Sequence, residues 1–404
     1  MGIYVREQTG GAMAGTILEA VNRFRCLHRG GAQEFAADGL RKQQAYLASL
    51  PEPQDDAERS YRQYQCQTAS HRSSWRGHIL DFAARLVTWV LLLRDDPDPA
   101  CPKGGGEGTE KRAVFLRQGV TLSIVPSSLT AEYRIDEMPY MGPRRLTAED
   151  RRFFRDMVWD RYRKDGLFCL KLLLRMEMYA YARMQGPYCA VLTHTEYSYA
   201  SSFLTAYCRY HGMEHINVMH GEKLYSIQDS FVHFDRFYVW DAFYRDLFLS
   251  LRAESAQFRV ELPPSMQPWN TDGVEKSVDY TYYLQAEDRA MLEKIAQALH
   301  TLRQQGCTVA VRPHPRYSDR NEICALFSGI EVENGSEISI QTSILRTRHV
   351  ISRFSTVLYQ AYINHVPIVI DDRTDPEEFR QLAELRYQML SVPHALLSEL
   401  IDQT

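Results

Sequence analysis

Paired cysteines are missing from this sequence. Its eight cysteines, at positions 26, 66, 101, 169, 189, 208, 307 and 324, form no CxxC pair and no Cys/His cluster at zinc-ligand spacing, which leaves no metal framework to read. Several, such as Cys189 and Cys208, sit in apolar runs where a thiol behaves as a small hydrophobe. All are expected to be reduced core residues of a cytoplasmic protein. The sequence lacks a basic start followed by an apolar core and a small-residue cleavage site, so no secretory signal is expected. Long hydrophobic runs are absent as well: the longest, ILDFAARLVTWVLLL, is broken by Asp81 and Arg85 and is too short to span a bilayer. Positive charge is not in excess. The formal net charge is −4, which provides no chain-wide field for DNA or RNA and excludes nucleic acid as the main partner.

What is present is bulk and alternation. The 404 residues, 45% of them hydrophobic, suffice for two domain cores with connecting segments. The first hundred residues read as helices, in GTILEAVNRFRCLHR and WRGHILDFAARLVTWVLLLR. Gly10-Gly11 is taken as a plain turn, because no strand precedes it and the dinucleotide fingerprint is incomplete. Residues 95–111, DDPDPACPKGGGEGTEK, form a surface loop, and Gly104-Gly105-Gly106 has no Lys-Ser/Thr pair to make it a phosphate cradle. Residues 147–185 read as helical, with aromatics interleaved among basic residues. An amphipathic helix with its aromatic face on the core is the reading preferred over one lying on a membrane or an acceptor.

After Gly186 short apolar runs alternate with helices: YCAVLTHTE, INVMHGE and FDRFYVWD, then VDYTYYLQ, CTVAVRPHP, GIEVEN, HVISRF and VPIVIDD. This is βαβ texture, which implies parallel sheets covered by helices. The proline-rich run ELPPSMQPWNTDG at 261–273 reads as a linker. The expected fold class is therefore α/β, with two Rossmann-like doubly wound domains, 1–265 with helical additions and 266–404, facing a cleft.

Ligands of open parallel sheets bind beyond the carboxyl ends of the strands. The residues placed there are Glu196, His220, Asp241, His314, the group from Ser352 to Thr356, and Asp371-Asp372. In Arg312-Pro313-His314-Pro315-Arg316 each proline holds the residue before it extended, so an imidazole is fixed between guanidinium groups suited to a phosphate. Ser355 or Thr356 would cap the next helix, whose first-turn N–H groups form an anion site. Gly221 beside His220 permits close backbone approach to a ligand. Glu196 either takes the proton of an acceptor hydroxyl or caps the following helix, with His220 and Asp241 as rivals for the role of base. Asp371-Asp372 is expected to be solvated and not to hold a metal.

Over residues 186–385 these motifs resemble a family. The strand exit RPHPR, followed by a Ser-x-x-Ser-Thr turn into a helix, looks like the HP and serine motifs of bacterial sialyltransferases and polysialyltransferases. The layout is similar to that of capsule Kdo transferases and CDP-glycerol glycerophosphotransferases, all GT-B proteins. NVMHGE followed by RFYVWD resembles a pattern of many surface-polysaccharide transferases. The resemblance implies a bacterial capsule or lipopolysaccharide glycosyltransferase of inverting, metal-independent type. His314 would assist the leaving CMP; Arg312, Pro315, Arg316, Ser352, Ser355 and Thr356 would bind the donor nucleotide. The sialyltransferases place an acidic pair before a glycine as their base, where this chain has Glu196 in HTEYS. The expected partners are a nucleotide-sugar donor, with a CMP-linked acidic sugar favoured, and a glycan or lipid-linked acceptor. No cofactor is expected, and the location is cytoplasmic or peripheral on the inner membrane face. A CDP-alditol phosphotransferase and a non-catalytic glycan-binding or scaffold protein are the alternatives.

Overall fold

The apolar runs become parallel strands of two sheets in the computed structural model, which describes residues 39–69, 75–94, 110–117, 119–139, 146–270, 273–315 and 317–402. Gly10-Gly11, Cys26, Cys101, the triglycine at 104–106 and Arg316 lie outside the described residues. One compact unit takes the described residues up to His220 together with Ser226–Ser265, and the second takes Gly221–Tyr225 and the described residues from Met266 onward.

The first unit holds a six-stranded sheet: β1 (Arg112–Arg117), β2 (Arg134–Pro139), β3 (Ala190–Thr193), β4 (Glu214–Val218), β5 (Arg236–Val239) and β6 (Phe258–Val260), in the order β2-β1-β3-β4-β5-β6. Every pair is parallel. Strands buried on both faces carry apolar side chains at successive positions. In β1, Ala113 and Phe115 join one core while Val114 and Leu116 join the other.

The main helices of this unit are α1 (Gly39–Ser49), α2 (Asp56–Thr68), α3 (Trp75–Leu93), α4 (Ala148–Phe154), α5 (Gly166–Met184), α6 (Ser201–Tyr210) and α7 (Ala242–Ser250). A π-helical stretch, Arg155–Trp159, interrupts the helical region between α4 and α5. Phe153, Phe154, Phe168 and Tyr179 are buried in the core, with Trp159 and Tyr162 partly buried against it. Gly166 starts α5 against the backbone of α3, where a β-carbon would stand 2.1 Å from the Asp81 carbonyl oxygen.

The second unit holds β7 (Val278–Tyr283), β8 (Val309–Arg312), β9 (Glu331–Val332), β10 (Thr347–Ser352), β11 (Ile368–Ile370) and β12 (Ala395–Leu396). Their order, β12-β11-β10-β7-β8-β9, is that of a Rossmann domain, and all pairs are parallel. Its helices include α8 (Arg289–Gln304), α9 (Arg320–Leu326) and α10 (Thr356–Ile363). Leu292, Ile295, Leu299 and Leu302 of α8 pack on Val309, Val311 and Ile351 of the sheet. Both units are thus α/β domains of the expected Rossmann-like class.

Two sequence expectations need correction. Cys66, Cys169 and Cys208 are buried free thiols and Cys189 and Cys307 half-buried ones, but Cys324 is exposed and is no core residue. Asp371 is not solvated: it is buried, accepting from the Tyr282 hydroxyl at 2.6 Å, the Thr374 hydroxyl at 2.5 Å, and the Arg373 and Thr374 N–H groups. Asp372 accepts from the backbone and hydroxyl of Ser398. Among the described residues no helix is long and apolar enough to cross a membrane.

The first unit carries a buried histidine with a consequence for acid stability. His215 of β4 lies with Nε2 2.9 Å from the Tyr179 hydroxyl and Nδ1 2.8 Å from the Thr205 hydroxyl. Burial, reinforced by His233 and Arg209, pushes its pKa down from 6.5 to about 3. The folded ring stays neutral while the unfolded chain protonates, so this group costs no stability above pH 6.5 and progressively more as pH falls toward 3. A His215→Gln variant is expected to show a shallower decline of its urea midpoint than the wild type across that window, with parallel curves above it.

Candidate functional site

In the second unit the strand order reverses between β7 and β10, and the connections leave the carboxyl ends of the strands around that point. A pocket of about 720 Å3 opens there, lined by the end of β7 (Tyr283, Leu284), the turn from Arg312 to Pro315, Ser318, Arg320, Glu333 and the helix start Ser355, Thr356 and Val357. Two motifs some forty residues apart in sequence therefore share one cavity. Such a volume lies within the roughly 300–1,000 Å3 of small-molecule sites.

The turn after β8 is closed by its own residues. The His314 N–H donates to the Ser318 hydroxyl at 2.9 Å, and the Ser318 N–H donates back to the His314 carbonyl at 3.2 Å. The imidazole stacks on Tyr317 with centroids 4.5 Å apart. Pro315 completes the pocket side of this turn.

Arg312 lines the pocket, and its guanidinium is engaged by protein acceptors as well. Its guanidinium donates to Glu333 at 2.7 Å and to the Ile338 carbonyl at 2.9 Å. Glu333, a fully buried carboxylate, also accepts from Arg346 at 2.8 Å and from the Ser343 hydroxyl at 2.6 Å, and Ser343 is 2.6 Å from the Tyr283 hydroxyl. With Glu331 also accepting from Arg346 at 2.6 Å, the strand end is locked by a cluster of two guanidiniums and two carboxylates. A second arginine on the pocket wall is Arg320, at the start of α9, an exposed residue whose Nη1 lies 3.4 Å from the Glu333 carbonyl. Sequence reading overlooked Arg320. The only local signal was its position five residues after the second proline of the turn.

The turn after β10 is equally constrained. Ser352 is buried and donates to the Tyr283 carbonyl at 3.0 Å; it ties β10 to β7 and is not part of the pocket lining. Arg353 is clamped by Glu287 at 3.1 Å and by Glu378. Ser355 has extended dihedrals and caps α10, its hydroxyl accepting from the Val357 N–H at 3.2 Å. Because the first-turn N–H groups of a helix have no intrahelical acceptors, this end of α10 offers the pocket positive electrostatic potential. Of the donor-site residues expected from sequence, Arg312, His314, Pro315, Ser355 and Thr356 reach the cavity wall, and Ser352 does not.

In the first unit, β3 and β4 run side by side with Thr193 opposite Asn217. The Asn217 side chain accepts from the Thr195 N–H at 2.8 Å and donates to Glu196 at 3.0 Å, pinning the loop that leaves β3. Glu196 is fully buried, and its other oxygen lies 3.6 Å from Nδ1 of His220, whose side chain is 29% exposed. The His194 ring packs edge-on to His220 with centroids 4.6 Å apart. A hydroxyl arriving from solvent would meet the imidazole, with the carboxylate behind it. Asp241 caps α7, accepting from the Tyr244 N–H at 3.3 Å.

No protein-family model matches the chain, and no curated protein matches it in sequence. Solved structures similar to it include the UDP-GlcNAc 2-epimerase of Neisseria meningitidis bound to UDP-GlcNAc, at 11% identity over 73% of this chain and 90% of that one, with a TM-score of 0.42. The UDP-GlcNAc 2-epimerase of Methanocaldococcus jannaschii in complex with UDP-GlcNAc and UDP matches at 12% identity over 72% and 91%, with a TM-score of 0.43. The wall teichoic acid polymerase TagF matches at 9% identity over 84% and 88%, with a TM-score of 0.42.

Removing one member of a buried ion cluster strands the others, at a cost of about 3–5 kcal/mol. Glu333→Ala is expected to destabilise the second unit by that order in urea unfolding. Glu333→Gln, which keeps the shape and one acceptor, is expected to cost less.

Proposed function

We propose that the chain is a glycosyltransferase that uses a nucleotide-activated sugar, with the donor phosphate seated between His314 and the first turn of α10. The observation that supports this is the convergence of the His314 turn, the Ser355-capped helix and the Arg320 guanidinium on one cavity at the switch point of a Rossmann-type sheet. An anion is stabilised there by the helix N–H groups and by a cation. A CMP-linked acidic sugar is the favoured donor, from the resemblance of the Arg312–Pro315 turn and the Ser355 helix start to the motifs of CMP-sugar transferases.

In the reaction an acceptor hydroxyl of a glycan attacks the anomeric carbon. The new carbon–oxygen bond forms as the bond to the donor phosphate breaks, and the electron pair leaves with the nucleotide. His314, Arg320 and the α10 terminus meet the charge developing on that phosphate, which is commonly the largest contribution to such catalysis. The acceptor proton passes to a base. We assign this role to His220, with the buried Glu196 carboxylate 3.6 Å from Nδ1 to stabilise the imidazolium as it forms.

The first measurement is thermal stabilisation by CMP, CDP, UDP, GDP and ADP. Cytidine nucleotides are expected to raise the midpoint, and His314→Ala to abolish the shift. Arg320→Ala is expected to weaken donor binding about tenfold, the worth of one charge-assisted hydrogen bond. A shift from UDP or GDP alone would discard the cytidine donor, and no shift from any nucleotide would leave the non-catalytic glycan-binding reading. Product mass separates sugar transfer from alditol-phosphate transfer.

His220→Ala is expected to lower kcat by about 10²–10⁴-fold while leaving the nucleotide shift intact. Glu196→Gln should lower kcat less and move the acid limb of the pH–rate profile. A His220 variant with unchanged kcat would remove the imidazole from the chemistry.

A further inference from the structure

Helix α3 shows solvent an apolar stripe. Trp75, Ile79, Phe82, Leu86, Trp89 and Leu93 are each between 48% and 68% exposed. At 100° per residue they fall within an arc of about 80°, along a helix about 28 Å long. The opposite face is already in use: Ala84, Thr88 and Leu92 are buried, and Ala84 packs with Leu170 and Leu174 of α5. Gly166 abuts the α3 backbone and the Leu167 N–H donates to Asp81 at 3.0 Å, so the orientation of the stripe is fixed.

The arginines lie on the shoulders of the stripe. Arg85, 3.6 Å from Asp81, occupies one side and Arg94 the other, and Arg85 donates to the Lys164 carbonyl at 3.0 Å, next to exposed Arg163 and Lys164. Residues 75–94 contain three arginines against one aspartate in a chain whose net charge is −4. A two-fold contact with a second copy would bring like shoulders together, because such an interface pairs a patch with itself. An anionic surface satisfies both shoulders at once, with the tryptophans at the level of the headgroups.

We propose that the outer face of α3 docks this protein on the surface of an anionic phospholipid bilayer, the helix lying in the plane of the interface. The docking site is separate from the donor pocket, and its test uses no nucleotide.

The full chain is floated with phosphatidylcholine vesicles and with vesicles containing phosphatidylglycerol, at low and high salt. Binding is expected to the anionic vesicles and to weaken with salt. Phe82→Ser and Trp89→Ser, made separately, should each lower partitioning about tenfold, the worth of one buried large apolar side chain. Their thermal midpoints should stay at or above that of the wild type. Arg94→Glu should reduce the preference for anionic lipid. Failure to float with either vesicle, or flotation unchanged by all three substitutions, would overturn the proposal. A dimer in light scattering that Trp89→Ser dissociates, without vesicle binding, would assign the face to a second copy.

Discussion

The carboxylate of Glu333 has lost its water entirely, and two guanidiniums and a hydroxyl replace it. A buried charge is tolerated only when its lone pairs are met in this way. Arg312 is held at the end of β8, and the Pro313-His314-Pro315 turn leaves from an anchored strand. Through Ser343 the same network reaches Tyr283, whose phenol is raised in pKa first by burial and lines the other side of the pocket. Ser352, bonded to the Tyr283 carbonyl, and Arg353, clamped by two carboxylates, hold the start of the α10 turn. The cavity is thus assembled by charges that are already paired with one another. The α10 terminus and the Arg320 guanidinium add positive potential at the cavity wall.

Both units gather polar side chains at the carboxyl edge of a parallel sheet, yet the two edges differ in kind. The second unit gathers a helix end, an imidazole and a guanidinium, a set matched to a leaving phosphate. The first unit gathers a buried carboxylate, an amide and a partly exposed imidazole, a set matched to proton removal. Asn217 mediates this second arrangement because the parallel register sets it beside the strand exit at Thr193.

Helix α3 stands apart from both edges. An apolar helix with one face packed on a core normally turns polar side chains outward, whereas here tryptophan, phenylalanine, isoleucine and leucine form the outward stripe. Contiguous exposed apolar patches are uncommon on monomers and mark interaction surfaces. The basic shoulders decide the kind of surface that fits.

Local rules sufficed wherever the determinant lay within a few residues. Apolar runs bounded by breakers identified β3, β4, β5 and the strands β7 to β11; a proline after His314 and a serine before α10 announced the turn and the cap. β1, β2, β6 and β12 went unread. β2 and β6 are edge strands with mostly polar or very short sequences, and β12 is a two-residue edge, so pairing with a neighbour and not composition makes them strands. The partner of Arg312 is 21 residues away and that of Asp371 is 89 away, and no spacing rule reaches so far. Periodicity marked α3 as helical without telling which of its apolar faces the fold would cover. The sequence by itself determined most of the element types, the proline-flanked turn after β8 and the serine cap of α10, because dihedral preferences and capping are local. Which guanidinium is neutralised, which carboxylate is buried and which apolar face remains outside were decided by tertiary packing, because desolvation and charge pairing depend on residues brought together only by the fold.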